Sequence, residues 1–234
     1  MAETLIAIDG LKAWYGESQV LHGVTLDIRA GELVTLIGRN GAGKTTTLRA
    51  LLGLIRREAV RLDIVGSDAR QLPPHRIARL GIGYVPEERG IFSSLTVEEN
   101  LLLPPVLQPG GPSAEEIYAL FPHLAARRRN PGARLSGGEQ QMLAIARVLR
   151  TGARLILLDE PTEGLAPVIV QQIGELVRQL KARGITLLMV EQNFRFAAAL
   201  ADRHYVMEDG RVVDMIEGSE LDAEAGRIAQ YLAV

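Results

Sequence analysis

Residues 38–46 read GRNGAGKTT, and they directly follow the apolar run LVTLI at 33–37. The apolar run predicts a buried strand, and the pattern after it predicts a helix over 44–54. A glycine-rich turn between a strand and a helix leaves backbone N–H groups free to bind an anion. The spacing fits the phosphate-binding pattern G-x-x-x-x-G-K-[ST], with an ordinary glycine-rich turn as the alternative. The predicted phosphate-binding residues are Gly38, Arg39, Asn40, Gly41, Ala42, Gly43, Lys44, Thr45 and Thr46.

Size and composition limit the classes of protein to which this chain can belong. Its 234 residues are 47% hydrophobic and carry a net charge of −2, which argues against nucleic-acid binding through bulk positive charge. There is no cysteine, so disulfides and thiol chemistry are excluded. The start MAETLIAIDG is unlike a signal peptide, and stretches such as ITLLMV are too short to cross a bilayer. We therefore expect a cytoplasmic protein that reaches a membrane only through a partner.

The spacing of apolar residues and turn residues predicts an α/β fold. Strands are expected at 4–8 and 11–15, broken by Asp9-Gly10, then at 20–29, 33–37, 60–65 and 82–85, and later in RLILLDE, ITLLMVE, HYVMED and GRVVDMI. Helices are expected at 44–54, 74–80, 167–183 and 193–201, with helical patterns between 88 and 150 and a surface loop at 104–112. Thr96 and Glu99 predict a capping box at the start of TVEEN. Asp209-Gly210 predicts a hairpin between the last two strands. The simplest architecture is a mostly parallel sheet flanked by helices, with an N-terminal antiparallel β portion and an inserted helical segment.

Two acids follow the apolar strand in LILLDEP, residues 155–161. Carboxylates at the carboxyl end of a buried parallel strand lie where open α/β sheets bind their ligands. We expect Asp159 to hold Mg²⁺ together with the Thr45 hydroxyl, and Glu160 to polarise the attacking water as a general base. The alternative is that Asp159 only caps the following helix.

The stretch LSGGEQQ, residues 135–141, is called the signature loop below. Ser136 and Glu139 form a capping box, which alone could mean no more than a well-capped helix. Gly137 and Gly138 cost backbone entropy at a helix start, and they leave N–H groups unobstructed beside a serine hydroxyl. We therefore predict a second anion-binding site at Ser136, Gly137, Gly138 and Glu139.

GRNGAGKTT, LSGGEQQ and LILLDEP together resemble an ATP-binding cassette (ABC) ATPase subunit over nearly the whole chain. The resemblance implies a P-loop NTPase (RecA-like) core at 1–87 and 151–234, with a helical subdomain at 88–150. It also implies that two cassettes pair head to tail and enclose ATP between the phosphate loop of one and the signature loop of the other. Dimer closure on ATP and release after hydrolysis then form a ligand-driven switch.

Other positions gain a role only through this resemblance. Tyr15 lies where the family stacks an aromatic side chain on adenine, although a plain strand aromatic is the alternative. Glu87 stands where the family usually has Gln, and Gln192 where it usually has His. We expect Glu87 to contact the metal sphere and Gln192 to donate its amide to the γ-phosphate. Residues 56–66 lack the usual Ser-Gly turn, and we expect an altered turn there.

Glu87, Gln192 and the flanking segments TVEEN and GLAP resemble one branch of the family, the second ATPase subunit of branched-chain amino acid importers and their amide or urea relatives. This resemblance implies a second ATPase subunit, identical or related, membrane permease subunits, and indirectly a solute-binding protein, but no nucleic acid. The edge after Glu87 would receive a permease helix, with Ile91, Phe92 and Leu95 as apolar contacts or as local core. The alternatives are a soluble ABC ATPase acting on nucleic acid or ribosomes, and a relative that does not hydrolyse ATP.

Overall fold

The computed structural model describes residues 3–221, so the ends of the predicted domain, residues 1–2 and 222–234, lie outside the described residues. The strands are β1 Thr4–Tyr15, β2 Ser18–Arg29, β3 Leu33–Ile37, β4 Arg56–Glu58, β5 Arg61–Ile64, β6 Ser67–Asp68, β7 Ile82–Val85, β8 Leu155–Asp159, β9 Thr186–Glu191, β10 Arg203–Glu208 and β11 Arg211–Glu217. The helices are α1 Lys44–Leu51, α2 Pro74–Ala78, α3 Val97–Leu102, α4 Ala114–Leu120, α5 Pro122–Ala126, α6 Gly137–Arg150, α7 Pro167–Ala182 and α8 Phe194–Ala198.

A mostly parallel sheet forms the centre of the molecule. Its order is β11-β10-β3-β9-β8-β7, and only the β10–β11 pair is antiparallel. The middle strands β3, β8 and β9 are buried along their whole length, as strands that are covered on both faces must be. Because β3, β9 and β8 are neighbours, their carboxyl ends meet at one edge of the sheet. This arrangement confirms the predicted α/β fold class.

The N-terminal region forms the predicted antiparallel portion, a second sheet of order β2-β1-β5-β6 with β4 paired to β1. The predicted break at Asp9-Gly10 is wrong, because β1 is continuous from Thr4 to Tyr15. A register shift between Ile8 and Leu11 accommodates these residues instead. This bulge keeps both halves of β1 paired with β2, so Asp9 and Gly10 lie within the strand and do not form a turn.

Several predicted helices are shorter in the structure than their sequence pattern. The helix predicted at 44–54 ends at Leu51, that at 74–80 ends at Ala78, and that at 193–201 spans Phe194–Ala198. The Asp209-Gly210 hairpin is confirmed, and both residues have the positive φ that a tight hairpin turn requires. The capping boxes predicted at Thr96–Glu99 and Ser136–Glu139 are both present.

Residues 56–66 contain the short strands β4 and β5, and the altered turn expected there stays a prediction. Residues 56–58 make the strand β4, which the sequence pattern did not predict, and β4 pairs with residues 12–14 of β1. The Arg57 guanidinium then reaches the end of α1, where it donates to the carbonyls of Ala50 and Leu51. It also donates to the carbonyls of Ala69 and Leu72, at 2.5 and 3.1 Å. Arg57 thus caps the helix that begins at the phosphate loop and joins it to the next segment.

The inserted segment carries α3 to α6, and its apolar side chains pack with those of β8, α7 and β9 in one hydrophobic cluster. A second cluster joins the antiparallel sheet to the other face of the central sheet and to α1. The division of the chain into a core at 1–87 and 151–234 and a subdomain at 88–150 stays a prediction. The first cluster packs α6 against β3, which runs into the phosphate loop, and against β8 and β9.

Candidate functional site

The phosphate loop lies between the carboxyl end of β3 and the start of α1. Gly43 occupies the N-cap position with a φ of 102°, and no side chain hydrogen bonds to the first turn of the helix. The N–H groups of that turn therefore remain available to an anion. A Cβ on Gly38 would overlap the Met207 carbonyl oxygen, so the loop needs glycine there to pass beside β10.

Lys44 folds back into this loop. Its ammonium donates to the carbonyls of Gly38 and Arg39, at 2.9 and 3.1 Å, and it lies 3.9 Å from Glu160 Oε1. Burial lowers the pKa of Lys44, while the nearby carboxylates raise it. A buried cation held mainly by carbonyl oxygens is well placed to meet the charge of a phosphate group.

Thr45 and Asp159 meet as predicted, across the loop and the end of β8. The Thr45 hydroxyl donates to Asp159 Oδ1 at 2.8 Å, and Tyr84 on the neighbouring strand β7 donates to Oδ2 at 2.8 Å. Asp159 is buried, and desolvation raises its pKa. A buried carboxylate and a hydroxyl at the edge of a phosphate loop are hard oxygen ligands that suit Mg²⁺. Sequence reasoning missed Tyr84, although it stands three residues before Glu87.

Glu160 follows Asp159 directly and has a left-handed backbone, with φ at 47°. Burial raises the pKa of Glu160 to about 7, and so does a hydrogen bond in which the protonated Glu160 carboxyl donates to Glu163. Gln192, which follows β9, donates from Nε2 to Glu160 Oε2 at 2.7 Å and favours the ionised form. The structure therefore brings the two predicted catalytic residues together, with the Gln192 amide on the carboxylate. The role of Gln192 toward a γ-phosphate stays a prediction.

The pKa of Glu160 gives a prediction for the protein without nucleotide or metal. Because folding raises this pKa, Glu160 favours the folded state below about pH 4.5, and that contribution is lost as the pH rises through about 7. Between pH 5 and pH 8 we expect the free energy of unfolding of the wild type to fall by about 1–2 kcal/mol more than that of Glu160→Gln, because the variant lacks the group that titrates. Urea unfolding at the two pH values measures this. The exposed Glu175→Gln is the control, and an unchanged pH dependence in Glu160→Gln would contradict the assignment.

Two further carboxylates line this edge. Burial and the charges of Glu163, Glu88 and Asp159 raise the pKa of Glu87, which agrees with a place beside a site for cations. Its contact with the metal sphere stays a prediction. Glu191, which sequence reasoning missed, is buried at the end of β9 and accepts from Thr162 and from the Asn193 N–H. It ties the segment after Glu160 to the segment that carries Gln192.

The signature loop is held by capping hydrogen bonds and makes no hydrogen bond to the phosphate loop among the described residues. Glu139 accepts from the N–H and the hydroxyl of Ser136, both at 2.8 Å, and Ser136 is exposed. Gly138 is buried where a Cβ would approach Ile169 Cγ2 to 2.5 Å. Within residues 3–221, no hydrogen bond or ion pair joins Ser136–Glu139 to the phosphate loop. The two predicted anion-binding sites therefore lie apart in one copy of the chain, and the binding of anions at each stays a prediction.

Tyr15 lies at the end of β1 with 41% of its surface exposed. Arg49 of α1 donates to its hydroxyl at 3.4 Å, and Arg49 also lies 3.8 Å from Glu88. The ring therefore lies beside the last turn of α1, which contains Arg49. Stacking of Tyr15 on adenine stays a prediction.

Known proteins share this sequence and this fold. The ABC transporter family profile matches residues 21–163. The high-affinity branched-chain amino acid transport ATP-binding protein BraG of Pseudomonas aeruginosa is 43% identical over 93% of this chain and 94% of its own length. The lipopolysaccharide export system ATP-binding protein LptB of Acidithiobacillus ferridurans is 37% identical over 91% of this chain and 90% of its own. A dimeric post-hydrolysis state of the cassette MJ0796, bound to ADP and Pi, has a TM-score of 0.78 at 25% identity, over 91% of this chain and 98% of that one.

Among residues 3–221, none of the helices has both the length and the apolar character that a membrane-spanning segment requires.

Proposed function

The chain belongs to the ABC transporter family as an ATP-hydrolysing cassette, and from this premise we propose that it drives an importer of branched-chain amino acids or related amides. The observation that supports the substrate class is the 43% identity to BraG along nearly the whole of both chains. Glu87 and Gln192, which resemble the same branch, support it independently.

We propose that ATP binds at the phosphate loop and that Thr45 and Asp159 hold Mg²⁺. The metal, when bound, neutralises the charge that develops on the phosphoryl oxygens. Lys44 binds the phosphates, Glu160 accepts a proton from the attacking water, and Gln192 orients the Glu160 carboxylate. The 2.7 Å hydrogen bond between Gln192 and Glu160 supports this division of roles.

A second cassette, identical or related, completes the site in this proposal. The separation of the signature loop from the phosphate loop within one copy leaves Ser136 and Gly137 free to reach ATP on a partner. The dimeric relative with ADP and Pi supports the same arrangement. Permease subunits, and through them a solute-binding protein, are the further partners, so the chain lies on the inner face of the plasma membrane.

Phe92 supports the site for a permease helix. Half of its surface is exposed, although it follows the buried strand β7 by only seven residues. Arg147 of α6 stands 5.8 Å from the centre of its ring and donates to the Gly90 carbonyl at 2.8 Å. The segment that contains Gly90 and Phe92 is therefore bound to α6, the helix that begins at the signature loop.

We expect Phe92→Ser to lower ATP-dependent leucine uptake at least about tenfold in proteoliposomes that contain the permease and both cassettes, because an apolar anchor is lost. ATP binding by the isolated chain should not change. Val60→Ser, at a side chain that is 71% exposed in the connection between β4 and β5, is the matched control. Wild-type complexes that hydrolyse ATP but take up no leucine, isoleucine, valine or amide would contradict the proposed substrate class.

The LptB relative makes lipopolysaccharide export the second candidate. Stimulation of the ATPase by lipopolysaccharide, without any by amino acids, would favour it. Stimulation by RNA or ribosomes would instead favour the soluble alternative.

A further inference from the structure

A cavity of about 310 Å³ lies away from the nucleotide site, between the inserted helices and the central sheet. We call it the α4–α7 pocket. Its walls are the loop 109–112, one side of α4, and the carboxyl-terminal ends of α6 and α7. None of the residues predicted to bind ATP or metal lines it. Its volume is at the lower end of the range of small-molecule sites, so it suits a small ligand.

The floor of the α4–α7 pocket is aliphatic. Ile117 of α4, Leu149 of α6 and Leu180 of α7 are buried there, and Leu120 and Ile185 are partly buried beside them. Aliphatic side chains from three helices form a surface that favours a branched apolar group over a polar one.

The rim carries charges of both signs. Arg154 and Arg183 are exposed, and within residues 3–221 neither guanidinium has a hydrogen bond or an ion pair. Glu116 is an anion, because its capping hydrogen bonds from Ser113 lower its pKa, and the more distant charge of Arg183 acts in the same direction. The rim thus has two unpaired cations and one anion beside an apolar floor.

Two helix ends add negative partial charge. The helices α6 and α7 both end at the pocket, at Arg150 and Ala182, and the carbonyl end of a helix attracts cations. A simple anion would meet the guanidinium groups but would be repelled by these ends and by Glu116. A ligand with a carboxylate and an ammonium group would satisfy both.

The pocket is already formed in the free chain. The N–H groups of Leu107 and Gln108 donate to the Thr151 carbonyl, and the Gln108 amide donates to the Arg79 carbonyl at 2.6 Å. Gly111 packs so closely on α6 that a Cβ there would lie 2.8 Å from the Gly152 Cα. The wall formed by residues 109–112 is therefore held against the helix end, and little ordering is needed on binding.

We propose that the α4–α7 pocket binds a free amino acid with an aliphatic side chain. The carboxylate pairs with Arg154 and Arg183, the ammonium group lies toward Glu116 and the helix ends, and the side chain covers the apolar floor. The bound ligand contacts the carboxyl-terminal end of α6 and so fixes the packing of this helix on the sheet. Ser136 lies at the other end of α6, so ligand binding also affects the position of the signature loop. That this ligand is the delivered product, and so a feedback signal, rests on the proposed importer function. The binding itself does not.

Isothermal titration of the isolated full chain, without nucleotide, with L-leucine, L-isoleucine and L-valine tests the pocket directly. We expect saturable binding, weakened about tenfold or more by Arg183→Gln and by Glu116→Gln, since each removes one charged partner of the ligand. Glutamine can keep the capping box at position 116, so the second variant preserves α4. Arg178→Gln, on the exposed face of α7, is the matched control and should bind as the wild type does.

Two analogues of leucine test the zwitterion. 4-Methylpentanoate lacks the ammonium group and 3-methylbutylamine lacks the carboxylate, and each should bind at least about tenfold more weakly. The proposal would be overturned if either analogue bound as tightly as leucine, or if both variants bound leucine as tightly as the wild type does. The absence of saturable binding at millimolar leucine would also overturn it. A complex that transports only other solutes, while this chain still binds leucine, would refute the proposed transport substrate and leave the proposal of leucine binding at the α4–α7 pocket intact.

Discussion

Glu160→Gln is expected to lower the ATPase turnover of the cassette dimer by about 10²–10⁴-fold, the range that a general base contributes. The glutamine keeps the size of the side chain but cannot accept the proton of the attacking water. The phosphate loop and Lys44 are untouched, so ATP binding and ATP-dependent association should persist. Turnover under saturating Mg²⁺ and ATP measures the first effect, and size-exclusion chromatography with ATP measures the second.

Glu163→Gln is the matched control for this variant. Glu163 raises the pKa of Glu160 but takes part in no step of the proposed mechanism, so its replacement should change the ATPase turnover only a few-fold. Retention of near wild-type turnover in Glu160→Gln would remove Glu160 from the catalytic role. It would also support the view that another group of this edge, such as Glu87, activates the water.

Arg57→Met is expected to lower the free energy of unfolding by roughly 3 kcal/mol, because four carbonyl groups lose one charged donor. For a chain of this length the melting temperature should fall by roughly 6–12 °C. Methionine keeps the aliphatic part of the side chain, so the loss reports mainly on the guanidinium. Thermal and urea unfolding at neutral pH measure it.

Arg61→Met is the control for Arg57→Met, since within residues 3–221 the Arg61 guanidinium pairs only with Asp63, two residues further along the same strand and at an exposed position. Its replacement should change stability by no more than about 0.5 kcal/mol. Equal stability of the two variants would show that α1 does not depend on its arginine cap. We further expect Arg57→Met to change the free energy of ATP binding by less than it changes the free energy of unfolding, because the phosphate loop is at the other end of α1.

Much of the central sheet could be predicted from local pattern. The strand β3, the hairpin at Asp209-Gly210 and the capping boxes of α3 and α6 were predicted because each depends on a few consecutive residues. The helix ends were less predictable. The helix predicted at 44–54 ends at Leu51, where the distant Arg57 provides the cap, and local periodicity contains no information on that contact.

Local spacing was enough to predict the phosphate loop, the acids Asp159 and Glu160 at the end of β8 and the capped start of α6, because it fixes backbone turns and helix starts. The hydrogen bonds from Tyr84 to Asp159 and from Gln192 to Glu160 could be seen only in the folded chain, because they join residues 75 and 32 positions apart. The enclosure of the α4–α7 pocket by three helices could likewise be seen only there. The physical reason is that strand order and register bring such side chains together, and neither is encoded in the period of any one segment.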